Sequence, residues 1–383
     1  MAGFTFTNSG REARIIDKLG DLNWGLIAVV SIISLTGCVM LYSVAGGNID
    51  PWASRHATRF AAGLVILITV ALIDIRIWMS LAYPSYALSL ILLVAVEVAG
   101  ETGKGAERWL NLGLIQIQPS ELMKIALILA LARYFHGLTR EEVSRFFNLI
   151  PPALMIGIPA GLVLLQPNLG TATILGLVGF GLLFLSGLSW RYIVPLIAGG
   201  VAAVPIGWLF LHDYQRQRVL TFLNPEDDPL GAGYNILQSK IALGSGGLFG
   251  KGFLNGTQSQ LNFLPEKHTD FIFVMFGEEF GLFGGFLLLS LYLVTLAYGV
   301  AIALQARSQF ARLVAMGVTI NFLLYILINV SMVMGLIPVV GIPLPLMSYG
   351  GTAMLTVMFG FGLLMSVHLH RNVEIARHSG AFW

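Results

Sequence analysis

A run of five polar residues, 266–270, is followed directly by an apolar stretch, 271–294, that is long enough to cross a bilayer. Asp270 is the last of the five, so its carboxylate lies where a transmembrane helix is predicted to begin. The positive end of the helix dipole favours an ionised carboxylate there, whereas partial burial favours the neutral acid. These opposed effects suit a general base, although a side chain that only caps the helix, from Thr269 or Asp270, accounts for the position equally well.

A second pair of ionisable residues lies within a stretch that hydropathy assigns to the membrane. Pro119 predicts the start of a helix, and Glu121 and Lys124 follow three residues apart, on one face of it. Charged groups at such depth are costly and usually pair with each other or line a cavity. The pair therefore indicates either a substrate cavity or a salt bridge that only stabilises helix packing.

Five further residues are candidates for binding substrate. Arg108 and Trp109 precede the Glu121 helix at the predicted water interface, where Trp anchors well and Arg can bind a phosphate through two hydrogen bonds. Lys267 and His268 belong to the polar run beside Asp270. Ser348 lies at the entrance of the last predicted helix, whose N-terminus could receive an anion.

The composition is that of a membrane protein. Of the 383 residues, 56% are hydrophobic and 11% are charged, against about 45 to 50% and about 25% in soluble domains. A net charge of +2 without a basic tract argues against a nucleic-acid partner. The single cysteine, Cys38, cannot form an intrachain disulfide and is predicted to pack within an apolar helix.

Hydropathy predicts an all-α, polytopic integral membrane protein of about ten transmembrane helices. The predicted spans lie near residues 24–43, 59–78, 79–99, 119–136, 149–166, 171–188, 191–211, 270–303, 310–334 and 351–369. The third of them is interrupted by Pro84. No appended soluble domain and no strong internal repeat is evident, so residues 1–383 are predicted to form one membrane domain.

Arginine and lysine are distributed unequally between the two sets of short loops. Ten spans place both termini on one side, and that side carries most of the arginines, so we expect both termini in the cytoplasm. Three segments, near 100–118, 212–269 and 335–350, then face outward. Asp270 adjoins the largest of them, which predicts that the chemistry takes place on the outer face of the membrane.

Six motifs occur in order along the chain. They read GAERWLNLG, QPSELMK, QPNLGT, GYNILQSKIALGSGGLFGKG, LNFLPEKHTDFIF and GIPLPLMSYGGTAM. Together they resemble the SEDS family (shape, elongation, division and sporulation), and its RodA-like, rod-shape branch more than its FtsW-like, division branch. The resemblance covers residues 24–371, which is nearly the whole chain.

The resemblance implies a membrane-embedded peptidoglycan glycosyltransferase of the bacterial inner membrane, which polymerises lipid II for cell elongation and rod shape. Its implied partners are a class B penicillin-binding protein, other elongation-complex membrane proteins and membrane lipid. Asp270 matches the family's essential aspartate, for which the role of general base is implied. Arg108, Glu121 and Lys124 match positions that line the same cavity, the cations facing the pyrophosphate and Glu121 positioning them.

Three features of the sequence allow more than one interpretation: residue 168, a divalent cation and the activity itself. Asn168 stands where the family usually has aspartate, which favours a structural role for that turn over one that needs a negative charge. No cofactor is required by the residues, but a divalent cation such as Mg²⁺ is a candidate, either with the pyrophosphate or near the acidic cluster at 226–228. Two alternatives to the enzyme are a lipid II flippase, which accounts equally well for Glu121 and Lys124, and a non-catalytic scaffold of the wall-synthesis complex.

Overall fold

The structure of the chain, a computed structural model, is predominantly helical. It describes residues 15–99, 101–103, 106–111, 116–166, 168–210, 213–227, 232–261 and 263–376. The helices are α1 (Ile15–Gly20), α2 (Trp24–Val44), α3 (Trp52–Leu72), α4 (Ile75–Ala99), α5 (Pro119–His136), α6 (Arg140–Val143), α7 (Ile150–Leu165), α8 (Leu169–Leu185), α9 (Trp190–Phe210), α10 (Asp213–Leu223), α11 (Ala232–Ser245), α12 (Thr257–Gln260), α13 (Ile272–Gln305), α14 (Gln309–Val333) and α15 (Gly351–Leu369). Two short 3₁₀ helices, Phe146–Leu149 and Pro225–Asp227, and three strands, β1 (Glu101–Gly103), β2 (Ala106–Asn111) and β3 (Gln116–Ile117), complete the regular structure of these residues.

Each of the ten predicted spans corresponds to a helix. Within the described residues, eight helical segments are long and apolar enough to cross a membrane. The other two are α8, an apolar helix of 17 residues, and α5, an 18-residue helix that carries Glu121, Lys124 and Arg133. The prediction of an all-α, multi-pass membrane protein is therefore confirmed.

The boundary between the second and third spans differs from its predicted position. The sequence analysis places it at residue 79, whereas α3 ends at Leu72 and α4 begins at Ile75. The reason is local, because Asp74 Oδ1 accepts a hydrogen bond from Arg76 N at 2.8 Å and so satisfies a free N–H group at the start of α4. From there α4 continues through Pro84.

Two of the segments expected to face outward contain more regular structure than predicted. In the first, β1, β2 and β3 form a three-stranded antiparallel sheet in that order, and β2 packs against α4 and α5. In the second, residues 212–269, the chain forms helices α10 and α11. The sheet thus places Arg108 and Trp109 close to the helix that carries Glu121 and Lys124.

Helices α5 and α14 lie at the centre of the bundle. α14 packs against α13, α5, α8 and α15, and α5 packs against α4, α8 and α14. Most residues of both helices are buried, whereas apolar side chains on the peripheral helices, such as Val65, Ile91 and Leu293, are exposed where lipid would cover them. Polar groups of α5 and α14 are therefore enclosed by protein.

Helix α13 is broken at Gly281, whose φ of 67° and ψ of −165° are not helical. The break frees backbone groups that then pair with the segment 247–252. Lys251 N and Gly252 N donate to Glu278 O and Glu279 O, and Leu282 N and Phe283 N donate to Gly247 O and Leu248 O. The glycine-rich motif of this segment therefore serves close backbone contact with α13.

The carboxylates beside the break secure the same segment. Glu278 is fully buried, and its Oε1 accepts hydrogen bonds from Lys251 Nζ at 2.7 Å and from Thr257 N at 3.0 Å. Glu279 accepts one from Ser43 Oγ of α2 at 2.5 Å. Because buried carboxylates need such partners, these contacts hold α2, α13 and the 247–258 segment together.

We expect Gly250→Ala to destabilise the protein far more than Gly46→Ala. Both glycines have positive φ, but a Cβ at Gly250 would overlap Glu279 O, whereas one at Gly46 meets no atom within 4 Å. Gly46→Ala should therefore cost only the backbone strain, about 1 kcal/mol, and Gly250→Ala about 3 kcal/mol or more. Melting temperatures in detergent measure the difference, and equal shifts would contradict it.

Candidate active site

Asp270 lies in the turn 265–271 that precedes α13, and it is half-buried. The N-cap residue of α13 is Phe271, which makes no side-chain capping bond. Thr269 Oγ1 instead donates to Glu266 Oε2 at 2.8 Å. Neither Thr269 nor Asp270 therefore occupies the N-cap position of α13.

The two neighbours of Asp270 that the sequence analysis selects have different surroundings. Lys267 is buried, and this burial lowers the pKa of its ammonium group. An anion bound close to Lys267 would raise this pKa again, because it favours the charged ammonium group. His268 stacks on Trp52 at the start of α3, with ring centroids 4.6 Å apart and planes 10° from parallel. The centroid of the Tyr349 ring lies 5.9 Å from that of His268.

Arg59 is a candidate that the sequence analysis misses. Its guanidinium lies 4.6 Å from the centroid of the Tyr349 ring, and its Nη1 is buried without a hydrogen-bond partner. The group also borders Gly351 at the start of α15, where the N-cap residue, Gly350, has no side chain to cap the helix. An unpaired guanidinium N–H beside an uncapped helix N-terminus favours an anion. The sequence contains one signal for this residue: no acidic residue lies one helical turn from Arg59, so its own helix offers it no salt-bridge partner.

Glu121 and Lys124 form a salt bridge, as predicted, and a third group joins them. Lys124 Nζ lies 2.7 Å from Glu121 Oε1 and also contacts the hydroxyl of Tyr325, which donates to Glu121 Oε2 at 2.5 Å. All three side chains are buried. Tyr325 belongs to α14 and is not among the predicted site residues. The bridge thus joins α5 to α14, which is the packing interpretation, and the interpretation as a substrate cavity stays a prediction.

Helix α14 connects this buried cluster to the Asp270 turn. Asn329 follows Tyr325 by one helical turn, and its Nδ2 donates to Asp270 O at 2.9 Å. Both acceptors of this amide are backbone carbonyls, one in the turn before α13 and the other, Ile342 O, in the segment after α14. The two predicted sets of ionisable residues are therefore linked through one helix.

The remaining predicted residues are placed as follows. Trp109 is half-buried in β2 and pairs with Glu101 of β1, whereas the side chain of Arg108 lies outside the described part of the structure. Asn168 caps α8, since its Oδ1 accepts a hydrogen bond from Thr171 N at 3.3 Å. This contact agrees with the structural role expected for the amide at that position.

The described part of the chain contains no evident site for a protein-bound metal ion. There, no three His, Cys, Asp or Glu side chains are grouped so as to hold one. Glu226 and Asp227 form part of a 3₁₀ helix, and Asp228 lies outside the described residues. The predicted involvement of a divalent cation is therefore not supported by these residues, and the chemistry below uses none.

The fold and the site define a class of protein: a multi-pass membrane protein with an ionisable site where a helix enters the bundle. A sequence profile of the FtsW/RodA/SpoVE family, described as cell cycle proteins, matches residues 22–373. The chain therefore belongs to this family, the SEDS family that its motifs resemble.

Individual relatives agree with this assignment. The peptidoglycan glycosyltransferase MrdB of Escherichia coli strain K12 is 50% identical over 288 residues, which are 73% of this chain and 75% of MrdB. One solved chain, from a peptidoglycan synthase complex that coordinates polymerization and crosslinking, is 34% identical, with a TM-score of 0.80 over 92% of this chain and 99% of its own length. RodA of Thermus thermophilus is 32% identical, with a TM-score of 0.70 over 92% and 98%.

Proposed function

We propose that this chain is a peptidoglycan glycosyltransferase that joins lipid II disaccharides into glycan strands for cell elongation and rod shape. The observation that carries the proposal is the placement of Asp270. Asp270 is half-buried at the N-terminus of α13, is not the N-cap residue of that helix, and belongs to the same turn as the buried Lys267. Membership of the SEDS family and the 50% identity to MrdB support the same activity.

In the proposed reaction Asp270 acts as general base. Its carboxylate takes the proton from the C4 hydroxyl of the acceptor sugar, whose oxygen forms a bond to the anomeric carbon of the lipid-linked donor strand. The bond from that carbon to the phosphate oxygen breaks, and the electron pair leaves with undecaprenyl pyrophosphate. Pyrophosphate is a good leaving group, so cationic stabilisation matters more than a general acid.

The cations for the pyrophosphate come from several elements. We assign this role to Arg108 and Lys124, as the family resemblance implies, and add Arg59, whose Nη1 has no partner. Lys124 is held by Glu121 and Tyr325, so Glu121 serves to position the ammonium. Trp109, Lys267 and His268 keep their predicted assignment to substrate binding.

An apolar cavity supplies a place for the polyprenyl tail. Its volume is about 460 Å³, and its walls come from α3, α4, α5 and α15. The α5 residues in its wall include Leu122 and Ile125, which flank Lys124 in the sequence. A hydrocarbon chain in this cavity would therefore lie beside the helix that carries the buried Glu121–Lys124 pair.

The proposed setting follows from the charge distribution and the similar solved structures. We place the protein in the bacterial inner membrane, with both termini in the cytoplasm and the site facing outward. A class B penicillin-binding protein is the proposed crosslinking partner, supported by the similarity to a chain from a peptidoglycan synthase complex. Other elongation-complex membrane proteins and membrane lipid complete the proposed partners, and a Mg²⁺ ion carried by the pyrophosphate stays a prediction.

Purified protein in liposomes, supplied with lipid II, tests this function directly. We expect glycan strands, separated by gel electrophoresis, with a yield that rises when the penicillin-binding partner is added. No polymer with the partner present would contradict the enzyme. A flipping assay in sealed liposomes would then separate a lipid II flippase, which moves the substrate, from a scaffold, which does not.

Arg59→Ala should weaken use of lipid II because it removes a charged hydrogen-bond donor from the proposed pyrophosphate site. The expected loss in kcat/KM is about 10- to 100-fold, as for a hydrogen bond to a charged group. Arg191→Ala is the matched control, since Arg191 also stacks on a tyrosine, Tyr192, at 5.0 Å but contacts the Ser144 loop. Equal losses of kcat/KM in the two variants would show that Arg59 does not belong to the pyrophosphate site.

A further inference from the structure

Three consecutive backbone carbonyls of the Asp270 turn each accept a hydrogen bond from α14 or from the segment that follows it. Tyr349 N donates to His268 O at 2.9 Å, Ser348 Oγ to Thr269 O at 2.6 Å, and Asn329 Nδ2 to Asp270 O at 2.9 Å. We call these three donors the carbonyl clamp. They come from residues 59 to 81 positions further along the chain, so only the fold brings them to the turn.

The two side-chain donors of the clamp are themselves fixed. Asn329 is fully buried, and its Nδ2 also donates to Ile342 O at 2.7 Å, so both amide hydrogens have partners. Its Oδ1 is buried and accepts no hydrogen bond, which indicates that this amide is present for its N–H groups. Ser348 Oγ accepts a hydrogen bond from Leu344 N at 2.8 Å, and its hydroxyl hydrogen is directed to Thr269 O.

The clamp acts on the residue that carries the carboxylate. Asp270 lies outside regular structure, so helical hydrogen bonds do not fix its backbone. A donor on its carbonyl oxygen fixes the peptide plane next to its Cα, and this leaves mainly the side-chain torsions to orient the carboxylate. Gly341, with φ of 76°, lies against the carboxylate itself, since a Cβ there would stand 3.4 Å from Asp270 Oδ2.

We propose that Asn329 and Ser348 are positioning residues of the glycosyl transfer, which hold Asp270 in its reactive orientation through consecutive backbone carbonyls. The proposal rests on the proposed function, in which Asp270 is the base. It gives Ser348 a role through the backbone of Thr269 in place of contact with the substrate. A base that is displaced by about 1 Å is expected to lose about 100-fold in rate, whereas substrate affinity changes little.

The decisive variant is Asn329→Ala, with Asn321→Ala as its matched control. Asn321 lies two turns earlier on α14, is buried, and also has an Oδ1 without a partner, but no bond links it to the Asp270 turn. We expect Asn329→Ala to lower kcat by about 10- to 100-fold with KM within about twofold of wild type. Asn321→Ala should keep kcat within about threefold.

A second readout does not depend on activity. Hydrogen–deuterium exchange of peptides that cover residues 264–275 should be faster in Asn329→Ala than in wild type or Asn321→Ala, because the turn loses a contact. If wild type fails to polymerise lipid II, the proposed function fails, while faster exchange would still show that Asn329 holds the turn. Unchanged exchange together with unchanged kcat would overturn the clamp.

Ser348→Ala covers the case in which Asn329→Ala does not fold. It removes one oxygen atom and should fold, with kcat lowered by about fivefold or more and KM unchanged. A raised KM with unchanged kcat would mean that Ser348 contacts the substrate directly, and it would overturn the positioning role of this residue.

Discussion

Asp270→Asn should abolish glycan-strand formation while the protein stays folded. The substitution keeps the size and polarity of the side chain but removes its basicity, and a positioned general base typically contributes about 10²- to 10⁴-fold to a rate. The fold should tolerate the change because Phe271, and not Asp270, is the N-cap residue of α13. The rate of lipid II polymerisation in liposomes measures the loss.

The control for this prediction is Glu226→Gln, the same chemical change at an exposed carboxylate between α10 and α11. It should polymerise like wild type. If Asp270→Asn polymerises as fast as Glu226→Gln, Asp270 is not the base. If Asp270→Asn loses both its activity and its cooperative melting transition, the loss of activity results from unfolding. The variant Asp270→Glu, which keeps the charge, is then tested in its place.

The second large effect is expected at the buried Glu121–Lys124–Tyr325 cluster. Lys124→Met removes the cation and leaves the Glu121 carboxylate buried, with Tyr325 as its remaining donor. Removing one partner of a buried pair costs about 3–5 kcal/mol. Because Tyr325 still donates a hydrogen bond to Glu121, we expect a loss of about 3 kcal/mol in the free energy of unfolding. The melting temperature in detergent should fall accordingly, and polymerisation should be lost.

A fully apolar replacement separates the structural role of this cluster from its chemical role. The triple variant Glu121→Leu, Lys124→Met and Tyr325→Phe leaves no unpaired polar group, so its stability should recover to within about 1–2 kcal/mol of wild type. We expect it to remain inactive, because the pyrophosphate has lost a cation. If the triple variant polymerises lipid II, the cluster serves only to pack α5 against α14.

Local sequence features predicted much of this site. Glu121 and Lys124 are three residues apart on one helix, so helical geometry alone brings them together. The transition from polar to apolar residues at Asp270 predicted a carboxylate at a helix entrance. Asn168, between Pro167 and Gly170 in the sequence, predicted a turn, and the amide caps α8.

Other features depended on contacts between residues far apart in the chain. Tyr325 joins Glu121 across 204 positions, and Tyr349 contacts Arg59 across 290 positions. Neither pairing has a periodicity or a spacing that a single sequence would reveal. The same holds for Gly281, because its non-helical backbone follows from the hydrogen bonds that segment 247–252 makes with α13.

By itself, the sequence determined the membrane environment and the spanning helices of this protein, and it singled out the carboxylate at the start of α13. Long apolar runs must form helices in a bilayer, since every backbone polar group needs a partner within its own segment there. The tertiary structure alone decided how Asp270 is held and which groups accompany Lys124. These contacts come from side chains and backbone donors on other helices, and their placement depends on the packing of the whole bundle around α5 and α14.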